Sequence, residues 1–294
     1  MSSRPQAIDS LAALHHARRL SLAENPPWLQ TELAGRMVER LAVIKLQPTR
    51  VLQWPGFLGA SHELLRLAYP QAEQVCVEDL PELAARSRQQ HERSWLARMT
   101  RQAEVAVLAP NEVMPGMAQL LWSHLDLHAH ADLPGLIAQW HGALAVEGFV
   151  MFSCFGPDTF MELRALHARL GLGPAGPEWW DMHDIGDLLV QAGFADPVMD
   201  QERITLTWGR TEDLLRDLRT LGGNLAPARF AGLRSRAWRG RYLEALESLR
   251  NAEGRLALTL ELVQGHAFKP QPKLKMAAHT EVSLSQMREM LKKN

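Results

Sequence analysis

Short apolar runs alternate with segments of helical spacing along most of the chain after residue 47. In the first kind of segment, apolar residues stand side by side or alternate with polar ones; in the second, they recur every three or four positions. The predicted strands are RVLQW, QVCVED, AEVAVLA, AQLLWSHLDL and GFVMFSCF, which begin at residues 50, 74, 103, 118 and 148. Amphipathic segments such as ASHELLRLAY and LPGLIAQWHGALA follow them. This alternation predicts a parallel sheet with helices on both faces.

The two ends of the chain follow a different pattern. Apolar residues at helical intervals predict an N-terminal helix over residues 28–46, which ends before QPTR. A predicted helix, MHDIGDLLVQAGF, precedes a strand at residues 196–208, and a last strand follows at residues 255–268. Because helical segments lie between these two strands, we expect the strands to form an antiparallel pair at the edge of the sheet.

The predicted fold class is therefore α/β, a Rossmann-like sheet of seven strands with helices on both faces. The predicted organisation is an N-terminal helical segment (1–46), an α/β core (47–209), an arginine-rich helical cap (210–253), a last strand that completes the core (254–270) and a C-terminal tail with a short helix (271–294). The cap is expected to lie over one end of the sheet.

Composition narrows the class of protein without naming a function. Apolar residues make up 46% of the chain and charged residues 22%, as in a folded globular protein. The 32 basic and 33 acidic side chains nearly cancel, which gives no reason to expect nucleic acid as a partner. No secretory signal and no run of about 18 apolar residues is present, so we expect a cytoplasmic protein without a membrane span. Cys76 and Cys154 are expected to be reduced core residues.

Several stretches of the sequence resemble one enzyme family. They are FSCFGPDTFMELR (152–164), DMHDIGDLLVQAGFADPVMDQERITLTW (181–208), LLRDLRTLGG (214–223) and GHAFKP (265–270). With these stretches the chain resembles the malonyl-acyl-carrier-protein O-methyltransferases of biotin synthesis. The resemblance implies a class I methyltransferase fold and S-adenosylmethionine as cofactor. It also implies methylation of the free carboxyl of a malonyl thioester that is carried by an acyl carrier protein.

The loop after the first predicted strand departs from this family. Its members typically carry an aspartate and then a glycine-rich loop, whereas here Gln53, Pro55 and Phe57 replace the aspartate and two of the glycines. Proline removes a backbone N–H donor, and phenylalanine adds a ring where the family's backbone closes on the cofactor. We therefore expect impaired or lost cofactor binding, with Gly56 and Gly59 as the remaining loop contacts.

Two further positions correspond to cofactor contacts of the family. After the second strand, Glu78 or Asp79 is placed to accept the ribose hydroxyls; a solvated acidic pair at a helix N-terminus is the alternative. Ser123 and His124 stand at the end of the fourth strand, where relatives carry other residues, and the family's alanine–aspartate pair for adenine is missing from LAPNEVMPG. No catalytic residue is predicted, because a carboxylate is already nucleophilic and proximity supplies most of the acceleration.

The segment HAHAD is typical of a different chemistry. His128, His130 and Asp132 match the metal motif of metallo-β-lactamase-type hydrolases, and two imidazoles with a carboxylate suit zinc. The next histidine of that motif is replaced by Leu133. Capping of the helix that begins with LPGL is a simpler use of Asp132. We predict no metal site, while metal binding by this cluster stays open.

An arginine-rich segment, RFAGLRSRAWRGR, lies in the predicted cap and contains no acidic residue. Its arginines are Arg229, Arg234, Arg236, Arg239 and Arg241. Their positive field and planar guanidinium groups suit an acidic partner, and the resemblance implies an acyl carrier protein. A solvated, salt-bridged helix face is the alternative. An active paralogue is a second candidate partner.

Two functions follow as hypotheses. In the first, the chain is a pseudo-methyltransferase that keeps the fold for binding or regulation. In the second, it is an active S-adenosylmethionine-dependent O-methyltransferase on a carboxylate carried by an acyl carrier protein. The altered loop favours the first hypothesis, and the family-like carboxyl-terminal half favours a substrate or partner shared with the second.

Overall fold

The computed structural model describes residues 8–92 and 105–272. Seven strands form one sheet in the order β3-β2-β1-β4-β5-β7-β6. They are β1 (Arg50–Gln53), β2 (Glu73–Val77), β3 (Ala106–Leu108), β4 (Ala118–His124), β5 (Leu144–Phe155), β6 (Ala195–Trp208) and β7 (Leu256–Phe268). Strands β1 to β5 are parallel, and β7 lies antiparallel between β5 and β6. The predicted α/β fold with a late antiparallel pair is therefore confirmed.

Helices cover both faces of the sheet. In the described part of the chain they are α1 (Ser10–Ser21), α2 (Trp28–Glu39), α3 (His62–Ala68), α4 (Pro81–Glu92), α5 (Leu133–Ala143), α6 (Met161–Leu170), α7 (Met182–Gln191), α8 (Thr211–Thr220) and α9 (Arg236–Leu246). Trp140 of α5 and Leu189 of α7 pack on one side of the sheet. Met37 of α2 and Leu65 of α3 pack on the other. Both sides of the central strands are thus withdrawn from water, which is why β4 and β5 read as continuous apolar runs.

The N-terminal helices are anchored to distant parts of the chain. Asp9 caps α1 by accepting a hydrogen bond from the Ala12 N–H at 3.0 Å, and its carboxylate also pairs with Arg229 of the cap segment. Helix α2 ends at Glu39, earlier than the predicted 46, and continues as a 3₁₀ turn over Arg40–Val43. The predicted helix in the tail lies outside the described residues.

The fold directs the carboxyl ends of β1, β2, β4 and β5 to one edge of the sheet, because these strands are parallel neighbours. In open α/β sheets the ligand crevice lies outside these carboxyl ends. The predicted cofactor residues follow β1, β2 and β4, so they meet at this edge. Helices α8 and α9 lie between β6 and β7 in the chain, within the predicted cap.

Candidate functional site

The loop after β1 lies across the ends of the neighbouring strands. The Trp54 N–H donates to the carbonyl of Trp122 in β4 at 2.8 Å, and the Gly56 N–H donates to the carbonyl of Val77 in β2 at 3.2 Å. Trp54 is 2% exposed. The loop is therefore tied to the sheet on both sides by backbone hydrogen bonds.

Glu78, the predicted ribose ligand, points into this loop and is 2% exposed. Its Oε1 accepts hydrogen bonds from the Phe57 N–H at 2.5 Å and from the Ser87 hydroxyl at 2.5 Å. Burial raises the pKa of Glu78 to about 7, although both hydrogen bonds act in the opposite direction. Its Oε2 is buried without a hydrogen-bond partner among the described residues.

Gly56 is required by this close packing. A Cβ atom at Gly56 would lie 2.8 Å from the Cβ of Cys76, 2.8 Å from Oε1 of Glu78 and 2.9 Å from Oγ of Ser87. Any side chain at this position would therefore displace the Glu78 carboxylate. The second loop glycine, Gly59, lies against the carbonyl of Pro55, where a Cβ atom would come within 2.4 Å. Both glycines serve the internal packing of the loop.

The ring of Phe57 is buried at the same edge, with 2% of its surface exposed. The guanidinium of Arg86, on α4, lies 5.2 Å from the centre of the ring. The same guanidinium donates to the carbonyls of Ala23 and Glu24, the second at 2.6 Å. Arg86 thus connects the Phe57 ring to the chain between α1 and α2, which closes over this end of the sheet.

Gln53 stands where the family carries an aspartate and is completely buried. Its Nε2 donates to Oε1 of Gln74 at 3.1 Å and lies 3.3 Å from Nδ1 of His62. The amide is therefore held within a buried row of polar side chains.

Ser123 and His124, predicted from the end of β4, are both fully buried. The Nδ1 of His124 lies 2.7 Å from the Ser153 hydroxyl, and its Nε2 lies 2.9 Å from the carbonyl of Gln30. Because a carbonyl only accepts, Nε2 carries the proton and Nδ1 accepts from Ser153. Burial lowers the pKa of His124 to about 4, which keeps the ring neutral. The histidine thus joins β4, β5 and α2, and a role in cofactor binding stays a prediction.

The side chains of the HAHAD segment have separate environments. His130 Nε2 lies 2.8 Å from the carboxylate of Asp126; burial lowers the pKa of this histidine, but Asp126 outweighs the effect and the pKa rises to about 9. His128 stacks on Phe155 with ring centres 4.4 Å apart, and burial lowers its pKa to about 4. Asp132 accepts from the Gly135 N–H at 3.0 Å, which confirms the predicted cap of α5.

The remaining acid of the predicted cofactor set, Asp79, follows β2; the residue is exposed in part, although its neighbours desolvate its carboxylate. Burial of its carboxylate and the charge of Asp126 raise the pKa of Asp79, and His130 acts in the opposite direction. The carboxylate therefore lies in the field of the Asp126–His130 pair. Within residues 8–92 and 105–272, no group of three His, Cys, Asp or Glu side chains is arranged to hold a metal ion.

A cavity of about 250 Å³ lies at the carboxyl ends of β4 and β5. Its walls come from the turn after β4, the end of β5, the start of α5 and the segment before α7; the polar and aromatic lining residues include His128, His130, Asp132, Phe155, Glu178, Trp179 and Trp180. Residues 171–180, GLGPAGPEWW, form a Gly/Pro-rich connecting segment for which no binding role was predicted. Two adjacent tryptophans in such a connecting segment were the signal for a site, since binding residues concentrate on loops.

The five arginines of the cap segment divide into two groups. Arg229 is half-buried and pairs with Asp9, whereas Arg234, Arg236, Arg239 and Arg241 are exposed. Arg234 lies between the rings of Phe230 and Trp238, at 3.3 and 4.7 Å from their centres. No ion pair between described residues involves any of the exposed four. Their positive charge is therefore presented to solvent beside an exposed aromatic ring.

No helix in the described part of the chain has the length and apolar character needed to cross a membrane. No protein-family model matches the chain. Individual proteins are nevertheless similar in sequence to this chain, and the two described next carry the same name.

Two of them are malonyl-acyl-carrier-protein O-methyltransferases. The protein from Gallionella capsiferriformans is 38% identical over 251 residues, which cover 84% of this chain and 86% of the relative. The protein from Laribacter hongkongensis is 39% identical over 248 residues, which cover 82% and 83%.

Among solved structures, phosphoethanolamine N-methyltransferase 2 of Haemonchus contortus superposes with a TM-score of 0.50 at 14% identity, over 84% of this chain and 54% of that one. It shares the fold. With 38% and 39% identity over more than four fifths of its length, the chain belongs to the malonyl-acyl-carrier-protein O-methyltransferase family and has the class I methyltransferase fold.

Proposed function

We propose that this chain is a non-catalytic member of its family, which has lost S-adenosylmethionine binding and acts by binding a protein partner. The observation that carries this proposal is the position of Glu78. In the family the acid after β2 is implied to face the ribose; here its carboxylate is 2% exposed and holds the loop backbone at Phe57. The residues at this edge therefore do not fit the cofactor.

A comparison of free energies supports the same conclusion. To admit an adenosyl group, Glu78 would have to release a charge-assisted hydrogen bond, which costs about 1.5–3 kcal/mol. Phe57 would have to leave its buried position, which costs about 1.5–3 kcal/mol more. A micromolar cofactor site corresponds to about 8 kcal/mol of binding free energy. The combined cost of about 3–6 kcal/mol would weaken such a site by roughly 10²- to 10⁴-fold, to the range of about 0.1–10 mM.

The other family contacts do not offset this cost. Gln53 replaces the family's aspartate, and its amide donates a hydrogen bond to Gln74 within the row of buried polar side chains. The amide is also uncharged, so it supplies no carboxylate for the ammonium group of the cofactor. Both ring nitrogens of His124 are occupied by Ser153 and Gln30.

The proposed partner is an acidic acyl carrier protein, which the names of the relatives mention as the carrier of their substrate. The docking surface is formed by Phe230, Arg234, Arg236, Arg239 and Arg241, hereafter the arginine surface. Exposed guanidinium groups without an internal ion pair avoid the cost of breaking one when they meet a carboxylate. The exposed ring of Phe230, 51% accessible, supplies an apolar contact beside them.

The second candidate function is an active carboxyl O-methyltransferase, which the family membership favours. A transfer assay separates the two. Methyl-labelled S-adenosylmethionine and malonyl-loaded carrier protein are incubated with this chain and, as a positive control, with the Laribacter hongkongensis relative. The proposal predicts label on the carrier only with the relative. Label transfer by this chain above the protein-free blank, abolished by heating the protein, would establish the active enzyme instead.

A further inference from the structure

We propose that the cavity at the carboxyl ends of β4 and β5 binds a small organic cation, such as a substituted ammonium group. The proposal goes beyond the proposed function and does not depend on it, because residues 53–62 and Glu78 contribute nothing to the cavity lining. Three observations carry it: the aromatic walls, the sign of the charges around them, and polar atoms that lack partners.

The aromatic residues form a continuous wall with two orientations. The ring of His128 stacks on Phe155 at 4.4 Å with an interplanar angle of 27°, and Trp179 meets Phe155 edge-on at 6.2 Å and 85°. Trp180 lines the same cavity. Rings set at right angles present faces to a central group from more than one direction. Aromatic faces carry negative potential and attract quaternary and substituted ammonium groups.

The charges around the cavity have the sign that a cation requires. Two carboxylates, Asp132 and Glu178, line it against one imidazolium, His130. That imidazolium is already neutralised by Asp126, its partner at 2.8 Å. His128 contributes no charge, since burial lowers its pKa to about 4. An anionic ligand would therefore meet two like charges in the cavity lining.

The residues behind the wall do not reverse this balance. Arg164 lies 5.7 Å from the centre of the Trp179 ring. Four carboxylates surround its guanidinium, those of Asp158, Glu162, Glu178 and Glu261. The carboxylate of Asp79 lies within electrostatic range of Asp126 and His130 and adds a further negative charge near this pair. The field at the cavity is thus set by acidic groups.

Two buried polar atoms in the wall have no hydrogen-bond partner among the described residues: Nδ1 of His128 and Nε1 of Trp179. A neutral imidazole offers one acceptor nitrogen and an indole offers one N–H donor, so together they suit a ligand hydroxyl, which both donates and accepts. The size of the cavity is also appropriate. A cavity of about 150 Å³ holds benzene, so about 250 Å³ accommodates an amino alcohol of seven heavy atoms.

Choline and its uncharged isostere, 3,3-dimethylbutan-1-ol, test the proposal by calorimetry and ligand-observed NMR on the full chain, without S-adenosylmethionine. Choline is expected to bind saturably, and the isostere at least tenfold more weakly. Malonate is expected not to bind. Equal binding of choline and its isostere, or tighter binding of malonate than of choline, would overturn the inference. These titrations contain no methyl donor, so their outcome leaves the proposed function untouched and can fail separately from it.

Variants locate the choline site. Glu178→Gln removes one exposed carboxylate and is expected to weaken choline about three- to tenfold without affecting the isostere, whereas Glu253→Gln, equally exposed but outside the cavity, changes neither. Trp180→Leu is expected to weaken choline at least tenfold. The indole N–H resonance of Trp179, assigned with Trp179→Phe, is expected to shift on titration of the wild type. Unchanged choline affinity in Glu178→Gln, or an unmoved Trp179 resonance during saturable binding, would place choline elsewhere and contradict the assignment.

Discussion

The carboxylate of Glu78 accepts a hydrogen bond from the backbone N–H of Phe57 at 2.5 Å, so the acid after β2 and the loop after β1 satisfy each other. Ser87 completes the arrangement from α4. The family resemblance assigns an acid and loop amides to the cofactor, and here one carboxylate oxygen of that acid and the Phe57 amide bind each other.

Ionisation of Glu78 is predicted to make the protein less stable as pH rises. Its pKa is about 7 in the folded protein against an ordinary 4.5, because burial disfavours the charged form. The folded state therefore binds more protons, and the stabilisation is complete below about pH 4.5 and is lost as pH rises towards 7. Glu78→Gln cannot ionise. We expect it to match the wild type to within about 1 kcal/mol at pH 5 and to exceed it at pH 8 by up to about 3 kcal/mol.

Urea unfolding of both proteins between pH 4.5 and 8 measures this difference. The variant-minus-wild-type comparison cancels the other titrating groups, provided that they are unaffected by the substitution. A difference that stays constant over this pH range would mean that Glu78 does not titrate there.

The ring of Phe57 is predicted to be a core element of the closed loop. Because it is 2% exposed, Phe57→Ala should lower the free energy of unfolding by about 3–5 kcal/mol, through lost burial and the cavity left behind. Phe230→Ala is the matched control, since Phe230 is 51% exposed and should change stability by less than about 1 kcal/mol. Thermal or denaturant unfolding gives both values. Equal, small effects would show that the Phe57 ring is not packed against Arg86 in solution.

Restoring the family's aspartate at residue 53 is predicted to destabilise the protein. Gln53→Asp shortens the side chain, removes its donor and leaves Oε1 of Gln74 without its partner at 3.1 Å. The expected loss is about 1–3 kcal/mol, the cost of a buried unsatisfied group. Gln90→Asp, at an exposed position of α4, should cost about 0.5 kcal/mol or less. If Gln53→Asp left the stability unchanged and gained S-adenosylmethionine binding, the cofactor site would lack only the aspartate at residue 53, and the prediction would be wrong.

Charge reversal on the arginine surface is predicted to abolish carrier-protein binding. Arg234→Glu with Arg236→Glu should weaken binding of the acyl carrier protein at least tenfold in 50 mM salt, and the wild-type affinity should itself fall as salt is raised. The control pair, Lys45→Glu with Arg88→Glu, reverses two exposed charges outside the arginine surface and should bind normally. Calorimetry measures all three proteins. Equal weakening by both pairs would mean that net charge, rather than this surface, attracts the carrier.

The sheet was predictable because the burial of one or both faces of a strand determines at which positions along it apolar residues occur. The alternation in residues 196–208 and the apolar runs of β4 and β5 record which faces are covered, and these strands appear where they were predicted, within a few residues. Strand boundaries were less exact: β5 begins at Leu144 rather than 148, and helix α2 gives way to a 3₁₀ turn at Arg40. The spacing of apolar residues does not indicate where a strand begins or where α-helical hydrogen bonding changes to 3₁₀ hydrogen bonding.

The candidate site was predictable only in part, because its geometry depends on contacts between distant segments. The substitutions at Pro55 and Phe57 were visible, but not that Glu78 turns inward to meet the loop, which requires Ser87 and Gly56 to be in place. His124 was predicted as a cofactor residue from its place at the end of β4, but its contacts with Ser153 and Gln30, residues from two other elements, could not be predicted. The cavity beside Trp179 likewise exists only when segments from Ile8 to Ile185, distant in the chain, come together.

The most direct test of the closed cofactor site is a calorimetric titration of the wild-type chain with S-adenosylmethionine, with the Laribacter hongkongensis relative titrated in parallel. The account predicts no saturable heat for this chain below about 100 μM ligand, because Glu78 and Phe57 would first have to be displaced. Saturable one-to-one binding with a dissociation constant below about 100 μM would contradict it.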